Sequence, residues 1–225
     1  MDRGTGVPIV FLHAGSGSSA LWQAQVDFFA GAGYRCIAYD RRARAAAADE
    51  LEALASELGL ERFHLVGTAA GGIVAVDYAL SFPQRLRTLV VANSIFGIQD
   101  EAYAAAMRRL RPSPQFDALP VEVRELGPSY RAANAAGARR WAEASRHASP
   151  QATRNRITFA ALETIRAPTL LLTGDADLYM PPSLLREVAV YLRGSTLVVV
   201  PECGHSAFWE QPEIFNRAVL EFLRS

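Results

Sequence analysis

Short apolar runs alternate along the chain with longer amphipathic stretches. The run at 8–12 is continuous and typical of a strand buried on both faces, and similar runs lie at 34–40, 63–68, 86–92, 168–173 and 196–200. Helical patterns follow most of them, at roughly 20–30, 49–58, 69–82, 182–192 and 213–223. This alternation predicts an α/β fold with a mostly parallel, doubly wound sheet that helices cover on both faces.

The strand signal disappears between residues 96 and 166. Ala-rich helical segments alternate there with Pro and Gly breaks, and the strand–helix pattern resumes afterwards. We therefore expect residues 1–95 and 167–225 to form one α/β core. Residues 96–166 are expected to form a helical cap inserted into it.

Composition excludes several classes of protein. The 225 residues are 50% hydrophobic, which suffices for a sizeable core without disulfides or metals. Lys plus Arg and Asp plus Glu balance at 23 each, so no charge excess favours nucleic acid or an anionic membrane as partner. Neither a signal peptide nor a membrane-spanning run is apparent, and the two cysteines give no disulfide framework. A cytoplasmic protein is expected.

The most informative motif is Gly67-x-Ala69-x-Gly71, which follows the strand predicted at 63–68. This spacing is that of a nucleophile elbow, a sharp strand-to-helix turn with strained backbone at its central residue. Glycines flank that residue because a side chain there would clash with the helix or a neighbouring strand. The central residue is normally a nucleophile, and here it is alanine.

Four other segments lie at the carboxyl ends of predicted strands, where open α/β sheets place their sites: residues 12–15, 39–42, 174–177 and 204–205. With the elbow, and in this order, they resemble the α/β-hydrolase fold superfamily in its capped esterase, lactonase and C–C-bond hydrolase branch. The resemblance covers almost the whole chain.

The resemblance implies a catalytic triad in the chain order nucleophile, acid, histidine. Position 69 would hold the nucleophile, and His205 would be the general base. Asp177 would orient the imidazole, in preference to Asp175, which fits a turn or helix cap better.

The resemblance also implies an oxyanion hole formed by the backbone amides of Gly15 and Ala70. His13 fits a structural hydrogen bond better than a catalytic role. Tyr130 and Trp141, in the insertion, either line a substrate pocket or pack the cap onto the core.

No cofactor is expected, and the spacing of the four histidines (13, 64, 147 and 205) does not fit a metal site. Cys203 lies two residues before His205, and it fits a small packed residue better than a nucleophile.

The sequence departs from the family pattern in three places. Ala69 replaces the nucleophile, through natural inactivity or deliberate substitution of a serine, and the retention of every supporting part favours the second. The N-terminal antiparallel hairpin usual in such proteins is expected to be absent. The Asp40 segment also runs into an alanine-rich stretch where a longer Gly-rich loop is usual.

The sequence therefore predicts a serine-type hydrolase of a small organic ester, lactone, thioester or activated C–C bond, inactive as written. One alternative is a catalytically silent module that binds a small molecule in the same pocket. Another is cofactor-free oxygen or peroxide chemistry on the same fold.

Overall fold

The computed structural model describes residues 1–42, 47–110, 115–145 and 152–225. Within them a seven-stranded sheet has the spatial order β1-β3-β2-β4-β5-β6-β7. The strands are β1 (Asp2–Arg3), β2 (Pro8–Leu12), β3 (Arg35–Ala38), β4 (Phe63–Thr68), β5 (Leu86–Ala92), β6 (Thr169–Gly174) and β7 (Thr196–Val200). All neighbouring pairs are parallel except β1 with β3. The predicted fold class is confirmed.

Helices connect the strands. They are α1 (Gln23–Gly31), α2 (Ala47–Glu57), α3 (Ala70–Ser81), α4 (Glu101–Leu110), α5 (Val121–Glu125), α6 (Pro128–Ala133), α7 (Ala135–Ala144), α8 (Phe159–Leu162), α9 (Pro182–Ala189), α10 (Ala207–Glu210) and α11 (Pro212–Arg224). The helix predicted at 20–30 begins as a 3₁₀ turn, Ser19–Trp22, before α1. Between β5 and β6 the described residues contain helices α4 to α8 and no strand.

The sheet is buried on both faces because alternate side chains of each strand enter different cores. Along β2, Val10 and Leu12 belong to the core that also contains residues of α2, α3 and α9, whereas Ile9 and Phe11 belong to the core that contains residues of α1 and α11. The same alternation separates Leu65 from Val66 in β4. Both layers hold the central strands in one register, so that their carboxyl ends meet at one edge.

The N-terminal segment contains a short antiparallel strand, β1, that the sequence did not predict, and this strand pairs with β3 and not with β2. Asp2 and Arg3 pair antiparallel with Ile37 and Cys36 at the sheet edge. Gly4 and Gly6 turn the chain back with φ of 84° and 110°, and a Cβ at Gly6 would lie 2.3 Å from the Gly33 oxygen. A strand of two residues is too short to show an alternation of apolar and polar positions, so it could not be predicted from the sequence.

Three sequence-based expectations fall partly or wholly outside the described residues. The shortened loop after Asp40 includes residues 43–46, His147 lies in the segment 146–151, and the predicted cap also contains 111–114.

A buried histidine in β4 predicts a loss of stability in mild acid. His64 bonds through Nδ1 to the Thr88 hydroxyl at 2.8 Å, and burial, with a smaller effect of Arg87, lowers its pKa to about 4. The unfolded chain, with an ordinary histidine pKa near 6.5, binds more protons between pH 6.5 and 4, so stability falls as pH drops through that window. One such histidine steepens this fall by up to about 1.4 kcal/mol per pH unit.

His64→Gln should therefore flatten the dependence of the unfolding free energy on pH between 6.5 and 4. Urea unfolding at several pH values, parent against variant, measures this. The difference isolates His64, because every other titrating group is common to both. Parallel curves would show that His64 does not carry the effect.

Candidate active site

The turn between β4 and α3 has the geometry of a nucleophile elbow. Ala69 has φ 49° and ψ −118°, a region that residues with a side chain rarely occupy. A Cβ on Gly67 would lie 2.3 Å from the Gly71 oxygen, and one on Gly71 would lie 2.2 Å from the Leu12 oxygen. Only glycine fits at either position, so the close backbone contacts of the strained turn account for the Gly67-x-Ala69-x-Gly71 pattern.

Ser94, just after β5, holds this turn in place. Its hydroxyl donates to the Ala69 carbonyl at 2.7 Å and accepts from the Phe96 N–H at 3.2 Å. A Cβ on Gly72 would lie 2.5 Å from the Ser94 Cβ, so Ser94 and α3 pack at the closest spacing their atoms allow. The strain at Ala69 is thus fixed from the neighbouring strand.

A histidine and an aspartate pair beside the elbow. His205 Nδ1 lies 2.9 Å from both carboxylate oxygens of Asp177, and both side chains are buried. Burial disfavours the imidazolium, but the charge and hydrogen bond of Asp177, with the charges of Glu125 and Glu210, together outweigh burial and raise the pKa of His205. Burial likewise opposes the charge on Asp177, but His205, together with the hydrogen bonds from Met180 and Asn93, outweighs burial and lowers the pKa of Asp177 to about 2. With Nδ1 donating to Asp177, Nε2 remains for proton transfer.

Four further groups donate to Asp177. The backbone N–H groups of Tyr179 and Met180 donate to Oδ1 at 2.8 and 2.9 Å, and Asn93 Nδ2 and the Thr173 hydroxyl donate to Oδ2 at 3.0 Å each. Such donors favour the ionised carboxylate and fix its orientation. Asp177 is therefore held as an anion that points at the imidazole.

Asp175, the other acid considered from the sequence, has a different position. Its carboxylate accepts the backbone N–H groups of Glu202 and Cys203 at 3.0 and 3.1 Å, which stabilises the turn before His205. Cys203 is itself buried, and burial raises the pKa of its thiol, as expected for a packed residue. The structure brings Asp177, and not Asp175, to His205.

A cavity of about 570 Å³ opens beside these groups. It is lined by Ala69, Ala70, Gly15, His205, Tyr179 and Glu125, together with Ala14, Ser16, Ile73 and Ile95. The Tyr179 ring packs against the imidazole with 4.6 Å between centroids. Five residues singled out from the sequence, at 15, 69, 70, 177 and 205, thus meet at one place, and a volume of this size suits a small organic ligand.

Tyr130 and Trp141 are not among the residues that line the cavity. Trp141 is buried, and its indole N–H donates to Glu125 Oε2 at 2.9 Å. The Tyr130 hydroxyl accepts from Asn134 at 3.2 Å. Packing of the cap onto the core, one of the two roles considered from the sequence, fits these positions better than substrate contact.

His13 is part of the structural support. Its Nε2 accepts the Arg41 N–H at 3.3 Å, so Nδ1 carries the proton and donates to the Ala14 oxygen at 2.6 Å. Burial, assisted by Arg41, lowers its pKa to about 4, which keeps the ring neutral. Within the described ranges no cluster of His, Cys, Asp and Glu is arranged to hold a metal ion, and no helix is long and apolar enough to cross a membrane.

The model of the alpha/beta hydrolase family matches residues 9–218. The chain belongs to this family.

The similar proteins align with nearly the whole of this chain. It is 32% identical over 255 aligned positions to RutD of Caulobacter sp. (strain K31), described as a carbamate hydrolase, with 95% of the chain and 90% of the relative covered. It is 31% identical to a 2-hydroxy-6-oxononadienedioate/2-hydroxy-6-oxononatrienedioate hydrolase of Burkholderia vietnamiensis, covering 99% and 89%. Because 255 positions exceed the 225 residues of the chain, the relative has internal segments without a counterpart here.

Among solved structures, a thermophilic esterase from Thermogutta terrifontis superposes with a TM-score of 0.84 at 27% identity, covering 100% of this chain and 92% of that one. Relatives from several subgroups are thus hydrolases, which supports hydrolytic chemistry for this member of the family.

Glu210, which sequence reasoning missed, fixes the loop that carries His205. Its buried carboxylate accepts the N–H of Gly204 at 3.0 and 3.1 Å, that of Ser206 at 3.1 Å and that of Gly127 at 2.7 Å. These donors include the residues on either side of His205 and one residue of the helical insertion. The His205 N–H in turn donates to the Glu125 carbonyl at 2.8 Å.

We define the clamp as this set of bonds between Glu210, residues 204–206 and residues 125–127. A Cβ on Gly204 would lie 2.4 Å from the Gly127 nitrogen, so the two backbones touch and glycine is required there. The clamp therefore sets both the position of the imidazole and one wall of the cavity.

Glu210→Gln should weaken the clamp. The amide NH₂ of glutamine faces N–H groups where a carboxylate oxygen accepted them, and a buried unmade hydrogen bond costs about 1–3 kcal/mol of unfolding free energy. Because the Glu210 charge also raises the pKa of His205, that pKa should fall in the variant. Urea unfolding and an NMR titration of the His205 ring measure the two effects.

Glu213→Gln provides the matched control, because Glu213 is exposed and lies three residues further along. It should change neither quantity. Equal behaviour of the two variants would show that the clamp is not needed to hold His205.

Proposed function

We propose that this chain has the binding site and acid–base groups of a serine-type hydrolase whose nucleophile position holds alanine. As written it would bind its substrate without hydrolysing it. The observation that carries the proposal is the backbone of Ala69, which is held at φ 49° and ψ −118° and lines the same cavity as His205. Backbone strain of this kind persists at catalytic positions because the surrounding structure enforces it.

The other groups have the roles that acyl transfer requires. With a serine hydroxyl at position 69, His205 Nε2 would take its proton as the hydroxyl attacks a carbonyl carbon. Asp177 would stabilise the imidazolium, which then returns the proton to the leaving group. A water molecule would then attack the acyl group, with His205 taking a proton from the water and returning it to the serine oxygen as the bond between serine and the acyl group breaks.

The oxyanion of the tetrahedral intermediate would be held by the backbone N–H groups of Ala70 and Gly15. Ala70 is the first residue of α3, where a helix leaves its N–H groups without intrahelical partners and favours negative charge. Gly15 lines the cavity on its other side, in the loop after β2.

The substrate we propose is a small organic ester, thioester, lactone, carbamate or activated C–C compound. These classes share a carbonyl carbon that a serine attacks, and the named relatives act on several of them. The helical insertion 96–166 would act as the cap over the cavity, since Glu125 of α5 lines it.

A panel of p-nitrophenyl esters, thioesters, lactones and vinylogous diketones, assayed on the parent and on Ala69→Ser, tests the proposal. Labelling by a fluorophosphonate reports the nucleophile directly. A serine variant that folds but neither labels nor turns over any compound would favour the silent binding module. Turnover that requires hydrogen peroxide would favour peroxide chemistry.

A further inference from the structure

Glu125 places a carboxyl group in the wall of the cavity, at the last residue of α5. Its Oε2 accepts the Trp141 indole N–H at 2.9 Å, which fixes the plane of the carboxyl group. The other carboxyl oxygen of Glu125, Oε1, has no hydrogen-bond partner among the described residues, and it remains accessible to solvent. This oxygen is therefore available to a ligand in the cavity.

No basic side chain neutralises Glu125 within the part of the chain that the structure describes. The neighbouring Arg124 instead donates from Nη1 to the Tyr179 hydroxyl at 3.0 Å. Burial raises the pKa of Glu125, a change opposed by His205, the Trp141 N–H and Arg124 and assisted by Asp177. A carboxylate in such surroundings gains most from a cationic hydrogen-bond donor.

The rest of the cavity favours a ligand with an apolar middle. Ile73, Ile95 and Ala14 line it, and Glu125 is the only carboxylate among the described lining residues. Asp177 is saturated by its own donors and by His205. A ligand cation in this cavity therefore has one carboxylate to meet.

We infer that Glu125 recognises a protonated amine, so that the site selects small esters or related acyl compounds whose carbonyl and ammonium groups are separated by a short apolar spacer. The inference rests on the proposed function, because it places the scissile carbonyl beside position 69 of the same cavity. The ammonium would occupy the open side of Glu125, with Trp141 holding the carboxyl group from behind.

Three ethyl esters of nearly equal size test the inference by binding to the parent chain, which lacks the nucleophile. β-Alanine ethyl ester carries an ammonium, ethyl butyrate replaces it with a methyl group, and monoethyl succinate replaces it with a carboxylate. Ligand-observed NMR should give a dissociation constant at least about tenfold lower for the ammonium ester than for ethyl butyrate, or about 1.4 kcal/mol. The succinate ester should bind most weakly.

Glu125→Gln should reduce the preference to less than about twofold while keeping the size of the side chain and an acceptor for Trp141. Glu122→Gln, on the same helix but away from the cavity lining, is the matched control and should leave all three constants unchanged. Urea unfolding of both variants confirms that each is folded.

Equal binding of the ammonium and methyl esters, a preference that survives Glu125→Gln, or tightest binding of the succinate ester would each overturn the inference. Its failure is distinguishable from failure of the proposed function, because binding by the parent needs no chemistry. An inactive Ala69→Ser that keeps a Glu125-dependent preference would refute the hydrolase and leave the inference standing. An active Ala69→Ser variant that shows no preference for the ammonium ester would support the hydrolase and refute the inference about Glu125.

Discussion

Ala69→Ser is expected to raise kcat on an activated ester by about 10⁵–10⁶-fold, the size of the loss when a serine protease loses its nucleophile. The turn already has the strained backbone that presents a side chain at the strand end. Gly67 and Gly71 keep it free of clashes, and Ser94 holds its carbonyl. One added oxygen atom beside a cavity of about 570 Å³ requires no rearrangement.

The serine variant should therefore unfold at nearly the same urea concentration as the parent, since surface-accessible substitutions of this size change stability by no more than about 0.5 kcal/mol. Steady-state hydrolysis of p-nitrophenyl butyrate measures the gain. Adding His205→Ala to Ala69→Ser is the control, and it should return the rate to about that of the parent. A rate that does not depend on His205 would show that the hydroxyl acts without the proposed base.

Asp177→Asn, made in the Ala69→Ser background, is expected to lower kcat by about 10⁴-fold, as for the acid of a serine-protease triad. An asparagine NH₂ would face the donors that now point at the carboxylate, and the imidazole would lose the acceptor that keeps its Nδ1 protonated. The loss should appear in kcat more than in KM, because Asp177 does not line the cavity.

Asp175→Asn is the matched comparison, two residues away and also bonded to backbone N–H groups. It should lower kcat by less than about tenfold, since one amide oxygen still accepts a bond and the imidazole keeps its partner. Both variants are compared by kcat at pH 7.5 and by urea unfolding. A larger loss of kcat for Asp175→Asn would mean that the wrong carboxylate is assigned to His205.

The sequence predicted the sheet and the elbow because both depend on local chemistry. A strained strand-to-helix turn needs glycine at 67 and 71, and continuous apolar runs specify buried parallel strands. The choice of Asp177 and His205 came from the family resemblance, and the order of strands, which brings distant carboxyl ends to one edge, agrees with that choice.

The supporting groups could not be predicted in the same way. The Glu210 side chain accepts the backbone N–H of the distant Gly127, and the Glu125 backbone carbonyl accepts that of His205. No spacing in the sequence encodes such contacts. Asn93 left a partial signal, since polar residues that directly follow a buried strand tend to lie at the site edge. Its φ of 46° and its bonds to Asp177 and Gly204 appear only in the fold.

The aromatic residues of the insertion show a second limit. The amphipathic pattern of α7 indicates that Trp141 is buried, but it does not indicate whether the side chain faces a substrate cavity or the hydrophobic core. It packs against Phe208 and Trp209. Whether Trp141 lines the cavity or packs against the core depends on how the helices pack, which cannot be read from a single sequence.

The clamp has a kinetic consequence. Because residues 125–127 are bonded to the loop that carries His205, a displacement of this wall to admit a ligand would carry the imidazole away from position 69. Passage by way of the loop after β2 leaves the acid–base pair intact. If ligands enter past the loop after β2, the rate of ligand entry and the rate of proton transfer are independent. If they enter by displacing residues 125–127, proton transfer must wait until this wall and His205 have returned, and the two processes share one slow step.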